Sequence, residues 1–235
     1  MTPDRPELGR RDGLAYALFA PRDGPAAGGV VVIHGADSVK ESHYDFARKL
    51  RAVGLAAVCF DLRGHGESEG ALGAGALDDV ATIASLLPPG PVGLRGSSMG
   101  GWLALAAAER VGAAAVVAVC PAPSRLLLGG VRDGRFGFRA DVEGFGVTLA
   151  HVDLEVAARG LGERLLLLHA EGDETVPVEH SRALHAVATG SRYVEAPGGH
   201  HRSIQHDDEY QAFSVRFLQR ALNAGPPPLD ENRSR

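Results

Sequence analysis

The sequence predicts an α/β protein: a mostly parallel, twisted sheet with helices on both faces and a small cap-like insertion. Three observations predict it. Short, continuously apolar runs recur along the chain, as strands buried on both sides require. Most are followed by a segment with helical spacing of its apolar residues. Glycine or proline marks most of the junctions.

The elements follow in order. Leu14 to Phe19 reads as an early strand and Gly29 to His34 as a buried one. His43 to Val53 has Phe46, Leu50 and Val53 on one helical face, and Gly54 is placed to end it with a left-handed cap. Leu55 to Asp61 is a buried strand. Ala76 to Leu87 is a helix with Asp78 and Asp79 at its positive end, stopped by Pro88-Pro89-Gly90-Pro91. Val92 to Arg95 is a strand and Met99 to Val111 an Ala-rich helix. Strands follow at Ala114 to Cys120, Leu165 to His169 and Arg192 to Glu195, with helices at Glu179 to Ala188 and Asp208 to Leu222. Residues 121–162 break the rhythm. They are rich in glycine and arginine and carry Phe136, Phe138 and Phe145. We expect an insertion over the sheet edge with one short helix near Asp153 to Ala158. Residues 1–224 are expected to form one domain, and residues 225–235 a disordered tail.

Composition narrows the function. The 235 residues are 45% hydrophobic and 23% charged, an ordinary globular balance. Net charge is −5, and 22 of the 24 basic residues are arginines spread along the chain, with Lys40 and Lys49 the two lysines. No basic run supports a nucleic-acid partner. No apolar stretch reaches the length of a membrane span, and the N-terminus lacks a signal pattern. Cys59 and Cys120 sit in strand-like runs and read as buried, reduced packing residues. The expected compartment is the cytoplasm. The expected partner is a small-molecule ester, with neither membrane nor nucleic acid, in a monomer or homodimer.

The chemistry centres on Gly96-Ser97-Ser98-Met99-Gly100, a G-x-S-x-G motif between a strand and a helix. There a serine occupies a strained turn that exposes its hydroxyl, and flanking side chains would collide. An N-cap role explains Ser98 but not both glycines. A serine nucleophile needs a base and a carboxylate to orient it. Asp173 follows the strand ending at His169 and lies 75 residues beyond the serine; Glu171 is the weaker rival. The last strand leads into Gly198-Gly199-His200-His201. The G-x-x-H spacing favours His201 as base, with His200 as runner-up. The oxyanion needs backbone donors, for which Met99 N–H, just after the nucleophile, and Ala36 N–H, after His34-Gly35, are the candidates. His200, His201, His206 and Asp207 could suggest a metal site, but no second spaced ligand set accompanies them. No metal or other cofactor is expected.

With these motifs in order, the sequence resembles the α/β-hydrolase superfamily. The resemblance rests on His34-Gly35, Asp61-Leu62-Arg63-Gly64-His65-Gly66-Glu67-Ser68, Gly96 to Gly100, His169 to Pro177 and Gly198 to His201. It is greatest to small bacterial members of the serine aminopeptidase-like and dienelactone hydrolase-like groups. It implies the α/β-hydrolase fold and a carboxylic-ester hydrolase with Ser98, Asp173 and His201 as triad, Asp61 anchoring a structural turn. Dienelactone hydrolases use cysteine, which disfavours that activity here. The short segment before the acid disfavours a lid-gated lipase.

The expected function is therefore cleavage of a small or medium carboxylic ester through an acyl-enzyme. A thioesterase or peptidase would use the same triad. A non-catalytic binding module on the same fold would not need Ser98, Asp173 and His201 in order. Nucleotide binding is disfavoured, because neither lysine lies in a phosphate-binding loop motif.

Overall fold

A computed structural model describes residues 5–22 and 24–223. Eight strands form one sheet: β1 (Glu7–Arg11), β2 (Leu14–Phe19), β3 (Gly29–Ile33), β4 (Ala56–Phe60), β5 (Val92–Ser97), β6 (Ala115–Val119), β7 (Leu165–Ala170) and β8 (Arg192–Ala196). Their spatial order is β1-β2-β4-β3-β5-β6-β7-β8. β1 and β2 join antiparallel, and all pairs from β4 onward are parallel. The helices are α1 (Tyr44–Ala52), α2 (Ala76–Ala84), α3 (Met99–Ala106), α4 (Ala108–Val111), α5 (Ser124–Arg132), α6 (Val142–His151), α7 (Leu154–Leu161), α8 (Val178–Val187), α9 (Ser203–His206) and α10 (Asp208–Asn223).

The alternation of side chains along each strand divides the interior into two cores. Val31, Ile33, Val58, Phe60, Val116, Leu165 and Leu167 face one way, toward Trp102 of α3, Val80 of α2 and Leu184 of α8. Val30, Val32, Ala57, Cys59, Val117, Leu166 and Leu168 face the other way, toward Phe46 and Leu50 of α1 and Leu218 and Leu222 of α10. The strands β3, β4, β6 and β7 are buried throughout, which is why they read as unbroken apolar runs. Both cysteines are buried and free.

Three expectations need correction. β1 was not foreseen. Glu-Leu-Gly-Arg-Arg is mostly exposed, so no apolar alternation marks it. The helix expected over Met99 to Val111 breaks at Ala107 into α3 and α4. The insertion holds three helices instead of one, and it packs on the α3 face instead of the sheet edge. Phe145 of α6 meets Trp102 edge-on at 6.2 Å between ring centres, and Leu154, Ala158 and Leu161 of α7 join the α3-side core. Glycines hid two of these helices: Gly129 and Gly130 sit in α5, Gly144 and Gly146 in α6, and glycine disfavours helix interiors. Side chains that accept backbone N–H groups start the last two. Asp141 caps α6 through Gly144 N–H at 3.0 Å, and Asp153 caps α7 through Glu155 N–H at 2.8 Å. The tail expected at 225–235 lies outside the described residues.

The turn after β4 is built around Asp61, which is wholly buried. Its Oδ1 accepts Lys40 N–H at 2.8 Å; its Oδ2 accepts Glu67 N–H and Lys40 Nζ, both at 2.9 Å. Ser68 Oγ donates to the Asp61 carbonyl at 2.5 Å and accepts Ala15 N–H at 2.9 Å, tying the turn to β2. Gly66 has φ 46°, and a Cβ there would strike the Asp61 carboxylate. Burial pushes the Asp61 carboxyl up, but these donors outweigh it and hold it below the ordinary carboxylate range. The lysine completes the pair with 2% of its side chain exposed. Removing it leaves a buried carboxylate uncompensated. Lys40→Met is therefore expected to destabilise the protein by about 3 kcal/mol. Urea unfolding at neutral pH checks this; an unchanged midpoint would show that Asp61 holds the turn without the lysine.

Candidate active site

The G-x-S-x-G segment joins β5 to α3. Ser98 adopts φ 54° and ψ −117°, a strained conformation for a side-chain-bearing residue. The backbone around it holds this turn. Ser98 N–H donates to Val119 O at 2.9 Å, and Ser98 O accepts Trp102 N–H and Ala122 N–H, both at 3.1 Å. The two motif glycines permit the crossing: a Cβ on Gly96 would overlap the Gly100 carbonyl, and one on Gly100 would overlap the Ile33 and His34 carbonyls. A Cβ on Gly35 would lie 3.2 Å from Ser98 Cβ, so the loop after β3 runs hard against the Ser98 turn.

His34 fixes that loop. Its ring is fully buried and bridges two strands' ends, accepting Leu62 N–H at Nε2 (3.0 Å) and donating from Nδ1 to Gly35 O (2.7 Å). These partners define one neutral tautomer. Burial and the neighbouring His65 lower its pKa to about 4, so the ring stays neutral above mildly acidic pH.

Asp173 occupies the loop after β7 and His201 the loop after β8. His201 Nδ1 lies 2.7 Å from Asp173 Oδ2. The carboxylate accepts, so the Nδ1 proton is on His201 and Nε2 is left with a lone pair. Asp173 is held by further donors. Its Oδ1 accepts Thr175 N–H at 2.9 Å and Val176 N–H at 2.8 Å. Its Oδ2 also lies 3.2 Å from His169 Nε2. Burial raises the Asp173 pKa, but the hydrogen bonds from His169, His201 and Val176 win and place it well below the ordinary carboxylate range. The two loops are joined by Glu171 N–H to Ala196 O at 2.9 Å and Gly172 N–H to Gly198 O at 3.1 Å.

Ser98, His201 and Ala36 line one cavity of about 330 Å³, together with Ser42, Ser97, Phe136, Gln205 and His206 among others. Asp173 stands behind His201. Met99 is fully buried and not on the cavity wall; its backbone N–H is at the first position of α3, where a helix has no internal acceptor for it. His200 also lines the cavity, but its Nδ1 accepts Arg202 N–H at 3.3 Å and the ring does not touch Asp173. Glu171 accepts Gly198 N–H at 3.3 Å and does not reach His201 either. His206 ends α9, and Asp207 caps α10 through Glu209 N–H at 2.9 Å.

Sequence reasoning missed His169 as part of the site. Its Nε2–H points at both Val176 O (3.0 Å) and Asp173, while Nδ1 accepts the Ser181 hydroxyl at 2.7 Å. Nothing in an apolar strand ending in His-Ala signals this. Cys120, at φ 44°, brings its sulfur into the same cluster, with the ligand atoms of Cys120, His169 and Asp173 all within 4.8 Å of one another. Burial pushes the Cys120 thiol up, so it is protonated, and the His169 ring nitrogens are both engaged. Among the described residues this is the group closest to a metal-ligand set, and as built it is held by hydrogen bonds.

The comparisons with known proteins bear on the fold. The model of the family described as serine aminopeptidase, S33, matches residues 24–126. The uncharacterized protein YfhR of Escherichia coli O157:H7 is 27% identical, over 92% of this chain and 81% of its own. Among solved structures, DcsB in complex with its substrate analogue superposes with TM-score 0.72 at 18% identity, covering 89% of this chain and 94% of that one. Est1E from Butyrivibrio proteoclasticus, solved with ferulic acid bound, superposes with TM-score 0.69 at 20% identity, covering 93% and 98%. The protein has the α/β-hydrolase fold. The comparisons support a hydrolase on that fold. No helix among the described residues is long and apolar enough to cross a membrane.

The crowding at the turn gives a test. Gly100→Ala is expected to yield no stably folded protein, because the added methyl meets backbone that cannot move aside. Gly160, in α7 with open space around it, is the control: Gly160→Ala is expected to raise stability by about 0.5–1 kcal/mol. Thermal melts of the two variants check this. Equal melting temperatures would show that the turn is not crowded as described.

Proposed function

We propose that the protein is a serine hydrolase that cleaves a small or medium carboxylic ester through an acyl-enzyme. The observation that carries this reading is the His201–Asp173 hydrogen bond of 2.7 Å, beside a cavity that His201 shares with the strained Ser98. In the proposed mechanism Ser98 Oγ attacks the ester carbonyl carbon and its proton passes to His201 Nε2. The resulting oxyanion accepts N–H groups of Ala36 and Met99. His201 then gives that proton to the departing alkoxide, and the alcohol leaves. Water enters, loses a proton to His201 and attacks the acyl carbon; the proton returns to Ser98 as the acid departs. Asp173 keeps the His201 tautomer and stabilises the imidazolium formed in both halves.

His169 acts here as a positioning residue. Its Nε2–H shares Asp173 Oδ2 with His201 and so limits how far the carboxylate can swing. Thioesters and amides present the same electrophilic carbon, and the family match to serine aminopeptidases keeps a peptidase as the second reading. Est1E and the monoacylglycerol lipase of Paleococcus ferrophilus, a fold neighbour at 22% identity, favour the ester.

Reaction with a fluorophosphonate probe tests the proposal without knowledge of the substrate. The account expects the label on Ser98, absent in Ser98→Ala and slowed about 10³-fold or more in His201→Ala. Folded protein that takes no label at Ser98 would overturn the hydrolase reading in favour of a binding module.

A further inference from the structure

Among the described residues, the insertion at 121–162 contributes one residue to the cavity wall, Phe136. It carries the one phenyl ring there; its companions on the wall include Asp37, Ser42, Glu174, Arg202 and Gln205. The mechanism above does not use it. Phe136 lies in the connection between α5 and α6 and is half-buried. Packing and backbone hydrogen bonds nevertheless fix it.

The Phe136 ring stacks on Phe138, with centres 5.3 Å apart and planes 16° from parallel. Phe138 stacks in turn on His65 at 4.2 Å, and His65 meets the buried His34 ring edge-on at 4.8 Å. A column of four rings therefore runs from His34 to the cavity wall. Helix α5 makes room for the last of them: a Cβ on Gly130 would strike the Phe136 ring. The backbone after Phe136 is tied as well. Gly137 N–H donates to Asp37 Oδ1 at 2.7 Å, in the loop after β3. Arg139 N–H donates to Gly64 O at 3.3 Å, and Arg139 O accepts Leu72 N–H at 3.0 Å. A Cβ on Gly64 would strike the Arg139 carbonyl, so the segment and the turn after β4 touch backbone to backbone.

The cost of ordering this ring is met when the chain folds and not when a ligand binds. A fixed ring favours a partner of matching shape. Two aromatic rings gain attraction from stacked or edge-to-face contact beyond what buried area supplies, and a puckered saturated ring gains less of it. The cavity, about 330 Å³, is at the small end of the range for ligand sites, which suits one ring rather than a fused system. We propose that Phe136 is a specificity-determining residue whose ring packs against an aromatic group of the substrate, so that the preferred ester carries a single flat ring on its acyl or its alcohol half. This rests on the hydrolase reading. A ring that only plugged the insertion would set no such preference.

The test measures kcat/KM for two pairs of esters, each matching a flat ring with a saturated one of equal carbon count. Benzyl butanoate against cyclohexylmethyl butanoate probes the alcohol half, and ethyl phenylacetate against ethyl cyclohexylacetate the acyl half. Each ratio is divided by that of hydroxide-catalysed hydrolysis, which removes differences in intrinsic reactivity. The account expects one pair to favour the aromatic ester by about two- to tenfold, and that pair identifies the half. It expects Phe136→Leu to bring the ratio to about one and Phe136→Tyr to keep it. Gly130→Ala displaces the ring without removing it and is expected to lower the ratio, which gives a readout should Phe136→Leu not fold. No aromatic preference in either pair, or a ratio unchanged in Phe136→Leu or in Gly130→Ala, would overturn the proposal. Fluorophosphonate labelling of the same preparation separates the two readings. Label on Ser98 without aromatic preference overturns the role of Phe136 alone; no label overturns both.

Discussion

Backbone crowding at Ser98 is the constraint on which the site depends. A residue at φ 54° and ψ −117° costs about 1–3 kcal/mol to hold and persists only where its surroundings over-determine it. Here three pieces of chain meet at the turn: the end of β3, the end of β5 and the start of α3. Gly96, Gly100 and Gly35 are the contact points, each with no room, or almost none, for a side chain. The same crossing sets the loop bearing Ala36 against Ser98 and brings the first N–H of α3 beneath it. The strain at one residue is thus inseparable from the placement of both proposed oxyanion donors.

The other half of the site depends on a saturated carboxylate. Asp173 receives two backbone N–H groups on one oxygen and two imidazoles on the other. A carboxylate satisfied in this way cannot rotate to another partner without stranding a donor, so it fixes His201 in direction as well as in tautomer. His169 and Ser181 form the layer behind it, and the pairing of Gly172 with Gly198 ties the Asp173 loop to the His201 loop. Backbone pairing thus continues past the ends of β7 and β8 into both loops. Arg95 provides a further link, from β5 to Gln205 in the segment after His201.

The parts legible in the sequence were those with a local cause. Buried parallel strands such as β3 and β4 show themselves as apolar runs, and the turn at Ser98 shows itself through glycines that its geometry demands. Asp61 as an anchor of the turn after β4 entered through the family resemblance. What escaped had causes elsewhere in the chain. β1 is mostly exposed and joins the sheet by pairing with β2, so no apolar pattern announces it. α5 and α6 contain glycines where other helices and rings approach, as Gly130 does under Phe136, so their propensity was masked by packing. His169 and Arg95 sit in strands among apolar neighbours, and their partners lie 4 to 110 positions away. The choice between His200 and His201 rested on spacing; the structure sets His201, and not its neighbour, on Asp173.

The most direct test of the account is a crystal structure of the protein after reaction with a small alkyl fluorophosphonate. The adduct mimics the tetrahedral intermediate. The account predicts phosphorus bonded to Ser98 Oγ, its oxygen within hydrogen-bond distance of Ala36 N and Met99 N, and His201 still on Asp173. A phosphoryl oxygen turned to solvent, or an adduct on any other residue, would contradict it.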